Sequence, residues 1–388
     1  MTQPLVAFPL SEEQRRIQEL VRGLADSTFR DRAARWDERE EYPWDNVKEL
    51  VAHNLMGMTF PVEYGGRGAG VLEAVLAIEA AARVCGVTGR ILVDSNFGAV
   101  GAIAHYGTDA QKRTFLPLVT REGDKPAIAI TEPDAGSAAA DMTTAARRDG
   151  GSWVLNGVKH WITGAGVSRL YVVFCRFDGV AGAPGVGAII VPSDAPGLTV
   201  KRRERAMGMR GIPEGEVVLA DCRVPAENLL VGPGGFSRLM SAYNGQRLGA
   251  SAVALGLAQG ALEAAVAYAG ERKQFGRAIG AFQGLRWMLA DMAMEVESAR
   301  QMIYRTAQNA GVGLPDQHAV AACKVAASEM AIRVTNQALQ VFGAKGYSRD
   351  CPVERMVRDA RMFTIAGGTV QMLRNLVANR LLGRTDRD

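Results

Sequence analysis

From Leu239 to Glu271 the chain runs without a proline through residues that are mostly small or apolar, among them Gly249, Ala250, Ala252, Ala254, Gly256, Ala258 and Gly260. Such a stretch reads as one long helix whose small side chains permit close contact with other helices. Phe282 to Ala310 and Asp316 to Phe342 carry the same helical period, and Val370 to Leu382 closes the chain. Long helices with short connections mean an up-down bundle.

The first third is also helical. Ser11-Glu12-Glu13-Gln14 fits a capping box, ahead of Ile17, Leu20, Val21 and Leu24 on one face. Further helical segments run roughly over 45–53 and 72–84, with a pair of short helices over 96–121. Tyr64-Gly65-Gly66-Arg67-Gly68 follows no strand and lacks a GK[ST] ending, so it is not a phosphate loop.

The pattern changes near Lys125. Ala127 to Ile130, Leu170 to Phe174, Gly187 to Val191 and Glu216 to Leu219 are strand-like, while Asp149-Gly150-Gly151 and Asn156-Gly157 read as turns of successive hairpins. The fold class is therefore α+β, mainly α. A helical domain (1–125) and a compact antiparallel β-domain (126–235) precede a four-helix C-terminal bundle (236–388).

Composition narrows the function. The net charge of +4 is spread without blocks of like sign, which implies neither nucleic acid nor an anionic membrane as partner. Cys85, Cys175, Cys222, Cys323 and Cys351 are odd in number and lack CxxC spacing, so no disulfide is expected. His53, His105, His160 and His318 are isolated, and no metal site is expected. The N-terminus carries no basic leader and no window reads as apolar enough to span a bilayer, so the expectation is a soluble, cytoplasmic protein.

Three segments are specific. Ala129-Ile130-Thr131-Glu132-Pro133-Asp134-Ala135-Gly136-Ser137 is followed by Asn156 to Thr163; Glu271 to Arg277 by Phe282-Gln283; and Gln340 to Tyr347 by the loop Arg361 to Arg374. Together they resemble the acyl-CoA dehydrogenase family across essentially the whole chain. The resemblance implies an FAD site in which Ile130, Thr131, Gly136, Ser137, Trp161 and Thr163 line the flavin from the β-domain. It places Arg272, Phe275, Gln283, Gln340 and Gly343 where a neighbouring subunit grips the pyrophosphate and adenine half, and Thr369 and Gln371 as C-terminal contacts. A guanidinium suits a diphosphate because it is always charged and offers forked donors. Shared sites imply a dimer, and the family is usually a dimer of dimers, a homotetramer. The implied substrate is an acyl-CoA, with Ser137, Arg247 in the channel and Arg374 near the CoA moiety; a surface salt bridge explains Arg374 equally well.

The chain departs from the family in two respects. Dehydrogenation needs a carboxylate to take the α-proton, and most relatives supply a glutamate in an Ile-Tyr-Glu-Gly-Thr loop. This chain reads Ile365-Ala366-Gly367-Gly368-Thr369, so the position is Gly367. A minority places the glutamate directly before the channel arginine, where this chain has Gln246, and an amide cannot accept the proton. A positioned base is worth roughly 10²–10⁴ in rate. Glu73 and Glu79 are possible substitutes, although their helix is expected to turn them to solvent. The second departure is Arg90, in a segment where the family has small or apolar residues. It reads as an anion clamp, as a surface arginine at a helix junction, or as an arginine paired with Asp94.

With Gly367 and Gln246, Arg90 makes the chain resemble the 3-sulfinopropionyl-CoA desulfinase branch. The likeness extends to Glu41 to Val47, Val93 to Asn96, Met240 to Asn244 and Arg358 to Thr369. That reaction removes a sulfinate from the acyl β-carbon, giving propionyl-CoA and sulfite. The resemblance implies that Arg90 clamps the sulfinate, with Tyr243 and Gln246 as neutral neighbours. The alternatives are a short- or branched-chain acyl-CoA dehydrogenase with a relocated base and, behind it, a flavin-dependent oxidase or monooxygenase on the same fold.

Overall fold

The computed structural model describes residues 5–383. Helix α1 (Glu12–Leu24) begins at the expected capping box: the Gln14 amide donates to Ser11 Oγ at 3.1 Å, and the Ser11 amide donates back to Gln14 Oε1 at 2.8 Å. Helices α2 (Arg30–Arg39), α3 (Trp44–Ala52), α4 (Val71–Ala82), α5 (Gly86–Asn96), α6 (Ala99–Tyr106) and α7 (Asp109–Glu122) follow. In α4 every residue except Glu73 is buried, and in α5 every residue is. The sequence reading assigns no helix to 86–96. A helix enclosed on all sides has no polar face, so the amphipathic period that reveals surface helices is missing.

The middle domain is a sheet of β1 (Ala127–Ala129), β2 (Ala145–Asp149), β3 (Ser152–Thr163), β4 (Leu170–Phe177), β5 (Val186–Pro192), β6 (Leu198–Arg203), β7 (Glu214–Pro225) and β8 (Leu229–Val231). Its order is β6-β7-β3-β2-β4-β5-β8, with β1 added on β4. The expectation of a purely antiparallel domain is corrected: β1 and β2 both pair with β4 in parallel. Side-chain alternation splits β4 between two cores. Leu170, Val172 and Phe174 pack with the helices, whereas Tyr171, Val173, Cys175 and Phe177 fill the β-domain.

Asn156-Gly157 is not a hairpin turn either. Strand β3 runs straight through it, and the irregularity is an extra residue on β7, since Leu155 and Gly157 oppose Cys222 and Leu219. Asp221 takes the left-handed φ of +48° there and exchanges two hydrogen bonds with the Asn156 side chain, at 3.1 and 2.8 Å. A Cβ on Gly157 would lie 2.4 Å from Thr144 Oγ1, so the glycine admits the neighbouring chain.

The C-terminal domain contains α8 (Phe236–Glu271), a short ribbon of β9 (Lys273–Gln274) with β10 (Arg277–Ala278), α9 (Gln283–Ala310), α10 (Gln317–Phe342), α11 (Pro352–Arg361) and α12 (Val370–Leu382). The small residues of α8 do what their size permits. Cβ atoms built on Gly249, Gly256 and Gly260 would lie 2.8 Å from Val93, 2.6 Å from the Glu79 carbonyl and 1.9 Å from the Arg83 carbonyl, so α8 lies directly against α4 and α5. One expectation fails here: α8 contains a window of mean hydropathy 1.4, long and apolar enough to cross a membrane. That window is 78% buried inside the protein, which is where its apolarity is used.

Candidate active site

Arg90 and Asp94 are one helical turn apart on α5 and only 6% and 4% exposed. The Arg90 Nε donates to the Asp94 carboxylate at 3.2 Å, and its terminal nitrogens make no hydrogen bond among the described residues. The same carboxylate takes Lys125 Nζ at 2.9 Å and Gln246 Nε2 at 2.5 Å. Burial works against the charged form of Asp94, but Arg90, Lys125 and the Gln246 hydrogen bond outweigh it and hold the carboxyl below its ordinary range. Lys125, just ahead of β1, also donates to the Thr163 carbonyl at 3.2 Å and so ties the helical domain to β3. Of the readings of Arg90, the pairing with Asp94 is met and the surface arginine is corrected, because the side chain is buried.

Gln246 comes from α8. Its amide nitrogen is engaged by Asp94, while its Oε1 is buried and unpaired among the described residues. Gly98 makes room for that oxygen, since a Cβ there would come within 2.3 Å of it. Farther along α8, Arg247 donates through Nε to the Gly367 carbonyl at 2.9 Å and through Nη1 to Asn244 at 3.0 Å, with its guanidinium 5.3 Å from the centre of the Tyr243 ring. Gly367 and Gly368 take φ of +76° and +91°. A Cβ on Gly367 would sit 3.5 Å from Lys324 Cε and 3.8 Å from the Tyr243 hydroxyl, so this position faces the cationic cluster.

Two ionisable groups of the cluster escaped sequence reasoning. Lys324, fully buried on α10, donates to the carbonyls of Phe363 and Gly368 at 2.9 and 2.8 Å. Burial, with Arg247 and Arg90 nearby, pushes its pKa down to about 7. A signal existed: Lys324 shares its helix face with Val320, Ala327 and Ala331, all buried. Glu214, at the start of β7, is half-buried, and the Thr163 hydroxyl lies 2.9 Å from each of its carboxylate oxygens. Burial raises it to about 7 against the pull of Arg90, Thr163 and Lys125. No pattern in the sequence marks this glutamate.

Glu73 and Glu79 are far from this chemistry. Gln14 donates to Glu73 at 3.0 Å. Glu79 turns inward and not to solvent, where it receives Arg300 at 3.1 Å and the Tyr304 hydroxyl at 2.5 Å. The Arg374 guanidinium bonds Glu329 at 2.6 Å on the surface.

The residues expected at a dinucleotide form two groups. On the β-domain, Trp161 sits at a bulge where Lys159 to Ile162 opposes the shorter step Val217 to Gly215. Its φ of +55° is unusual for a bulky side chain and turns the ring outward, 53% exposed. His160 stacks behind it at 5.4 Å and meets Glu204 at 2.9 Å. Thr131, Ile130, Gly136 and Ser137 border the same edge: the Thr131 carbonyl accepts from the His160 amide at 2.9 Å, and a Cβ on Gly136 would meet nothing within 4 Å. In the second group, Phe275 tips the β9–β10 ribbon at φ +51° and is 92% exposed, beside exposed Arg272 at the end of α8. Gln283 opens α9, and Gln340 and Gly343 end α10. Thr369 caps α12, its hydroxyl accepting from the Met372 amide at 3.3 Å, with Gln371 exposed in the first turn. Two flat side chains displayed on left-handed backbone, with an open glycine and a cation nearby, fit a flavin dinucleotide.

Family models describe the whole arrangement. That for the acyl-CoA dehydrogenase N-terminal domain matches residues 11–122, that for the middle domain 127–222 and that for the C-terminal domain 233–382. A 3-sulfinopropanoyl-CoA desulfinase of Paraburkholderia xenovorans is 53% identical over 97% of this chain and 98% of its own. That of Advenella mimigardefordensis is 50% identical over 97% and 95%. The short-chain-specific acyl-CoA dehydrogenase of Clostridium acetobutylicum is 38% identical over 96% and 99%. Among solved structures, butyryl-CoA dehydrogenase from Megasphaera elsdenii superposes with a TM-score of 0.93 at 34% identity, over 97% of this chain and all of that one. A glutaryl-CoA dehydrogenase from Mycobacterium smegmatis in complex with FADH2 gives 0.91 at 26% identity, over 97% and 96%.

Proposed function

The chain belongs to the acyl-CoA dehydrogenase family, and from that premise we propose that it is a 3-sulfinopropanoyl-CoA desulfinase, releasing sulfite and leaving propionyl-CoA. The observation that carries this reading is the charge of the cluster. Where relatives keep a carboxylate, Gly367 offers none, and the basic side chains Arg90, Arg247, Lys125 and Lys324 outnumber the two carboxyls of the cluster, Asp94 and Glu214. A pocket in which the Arg90 Nη atoms have no hydrogen-bond partner among the described residues suits a compact anion, and a guanidinium holds two oxygens of a sulfinate as it does those of a carboxylate. Asp94 fixes the Arg90 side chain through Nε and leaves the fork for the substrate. Gln246 supports Asp94 without adding charge, and Tyr243 lines the same space. An anionic glutamate here would repel the sulfinate.

FAD is the cofactor of this family. In this chain Ile130, Thr131, Gly136, Ser137, Trp161 and Thr163 would hold its ring, and Thr369 and Gln371 would bound it. When bound, it supplies an electron-accepting ring beside the acyl chain. Arg272, Phe275, Gln283, Gln340 and Gly343 would serve the adenine half in a second subunit. The helix supports this: Arg272 follows Gln246 by 26 residues along α8, about 39 Å at 1.5 Å per residue, a span longer than the dinucleotide. Sharing of FAD sites makes the unit a dimer, and the homotetramer, a dimer of dimers, doubles it. We place the protein in the cytoplasm, away from membranes and nucleic acid, with the CoA moiety reaching Ser137, Arg247 and the α12 side near Arg374.

The dehydrogenase alternative needs a base: Glu73 and Glu79 are bound elsewhere, which leaves Glu214 as the carboxyl such a reading would have to use. Purified, FAD-loaded protein should release sulfite and propionyl-CoA in equal amounts from 3-sulfinopropanoyl-CoA. Anaerobic bleaching of the flavin by butyryl-CoA at a comparable rate would favour the dehydrogenase.

A further inference from the structure

Desulfination leaves a chemical requirement that Arg90 cannot meet. When the bond between the β-carbon and sulfur breaks with its electron pair on carbon, that carbon needs a proton, because the thioester does not stabilise charge at the β-position. We propose that Glu214 is the acid that supplies this proton. The proposal rests on the desulfinase reading.

Geometry selects Glu214 from its neighbours. Thr163 from β3 touches it directly; Lys125, ahead of β1, binds the Thr163 carbonyl and Asp94, and Asp94 binds Arg90 on α5, while Arg90, Lys125, Asp94 and Tyr243 of α8 all act on it electrostatically. Asp94 is ionised and fully engaged by Arg90, Lys125 and Gln246. Lys125 is held by Asp94 and the Thr163 carbonyl, and Lys324 by two loop carbonyls. Arg90 does not give up a proton. Burial and the other acids keep the Tyr243 hydroxyl a weaker acid than usual. Glu214 alone combines a half-open side chain with a carboxyl whose one hydrogen-bond partner among the described residues is the Thr163 hydroxyl. Because burial raises the carboxyl to about 7, a large fraction is protonated near neutrality.

The step balances. The C–S bond breaks, its electron pair passes to carbon, and the Glu214 proton joins that carbon as the methyl group of propionyl-CoA. Sulfur departs as sulfur dioxide, guided by Arg90. Water adds to it to give bisulfite, and the proton released in that addition returns to Glu214. The sum is sulfinate plus water giving propionyl-CoA plus bisulfite, with no external oxidant or reductant.

The test compares wild type, E214Q and E214D, each purified with FAD and checked by flavin absorbance and thermal melting. Sulfite release from 3-sulfinopropanoyl-CoA is followed against pH. Wild-type kcat should fall as pH rises through about 7, since the acid must be protonated. E214Q should lose roughly 10²–10⁴ of kcat with KM little changed and the basic limb absent. E214D should recover part of the rate with the limb moved. An E214Q enzyme within threefold of wild type, with the same basic limb, would overturn the assignment while leaving the desulfinase reading intact. If E214Q does not retain FAD, an E214D limb that stays in place overturns it instead. A wild type that releases no sulfite overturns both.

Discussion

Arg90 meets Asp94 through its Nε, at 3.2 Å, and not through the end of its fork. This choice of atom separates two duties. The inner edge of the guanidinium satisfies a buried carboxylate, and the outer edge makes no hydrogen bond among the described residues. A buried arginine without an anion would cost several kcal/mol. Asp94 offsets that cost while leaving Arg90 its function.

Arg90→Lys tests the fork. Lysine keeps the charge but loses the planar pair of donors and the Nε contact. The variant should hold FAD and melt within a few degrees of wild type, while sulfite release falls by about a hundredfold or more. Retention of wild-type release would remove the clamp from the account.

Gly367→Glu tests whether the missing carboxylate matters. The backbone at φ +76° disfavours any side chain, by about 1 kcal/mol. More important, the new anion would neutralise Lys324, whose Cε lies 3.5 Å from the built Cβ, and weaken the pocket for a sulfinate. Sulfite release should fall on the order of tenfold or more, chiefly through a higher KM. An unchanged KM would show that the loop position does not sense substrate charge.

Glu132 governs acid stability of the β-domain edge that carries Thr131. It is 5% exposed and takes Lys159 at 2.8 Å, the Thr143 amide and hydroxyl at 2.6 and 2.8 Å, and the Thr144 amide at 2.9 Å. Burial opposes its charge, but Lys159 and these donors bring it down to about 2. A depressed carboxyl stabilises above its unfolded pKa and loses that contribution as pH falls through the folded one. Wild type should therefore lose about 3 kcal/mol between pH of about 4.5 and 2. Denaturant titrations of Glu132→Gln should show lower stability at pH 7 and a flatter acid limb; an identical limb would contradict the assignment.

Gly260→Ala probes the contact between α8 and α4. The added methyl would lie 1.9 Å from the Arg83 carbonyl, too close for any side chain to relieve. Overpacking of this kind costs about 1–3 kcal/mol, so the melting temperature should drop by several degrees with FAD still bound. No change would mean that the helices separate freely.

Much of this was legible in the sequence, for identifiable reasons. Helix α8 announced itself because close packing requires small residues throughout its length, and Gly367 and Arg90 stood out as departures from the family pattern that the sequence resembles. What Arg90 does was not legible. Asp94 lies one turn away, but Lys125 reaches the same carboxylate from the far end of the helical domain and Gln246 from the C-terminal domain. Glu214 and Thr163 meet only because β3 and β7 pair. Helix α5 hid because full burial erased its period, and the parallel partners of β4 hid because strand direction depends on long connections. Local patterns report local structure, whereas this site is assembled across domains.

The most direct measurement is sulfite release from 3-sulfinopropanoyl-CoA by the purified yellow protein, with propionyl-CoA quantified in the same samples. Both products should appear in equal amounts, without net bleaching of the flavin and without oxygen uptake. Absence of sulfite, with prompt bleaching by butyryl- or isobutyryl-CoA under anaerobic conditions, would contradict the desulfinase reading and make the chain a dehydrogenase.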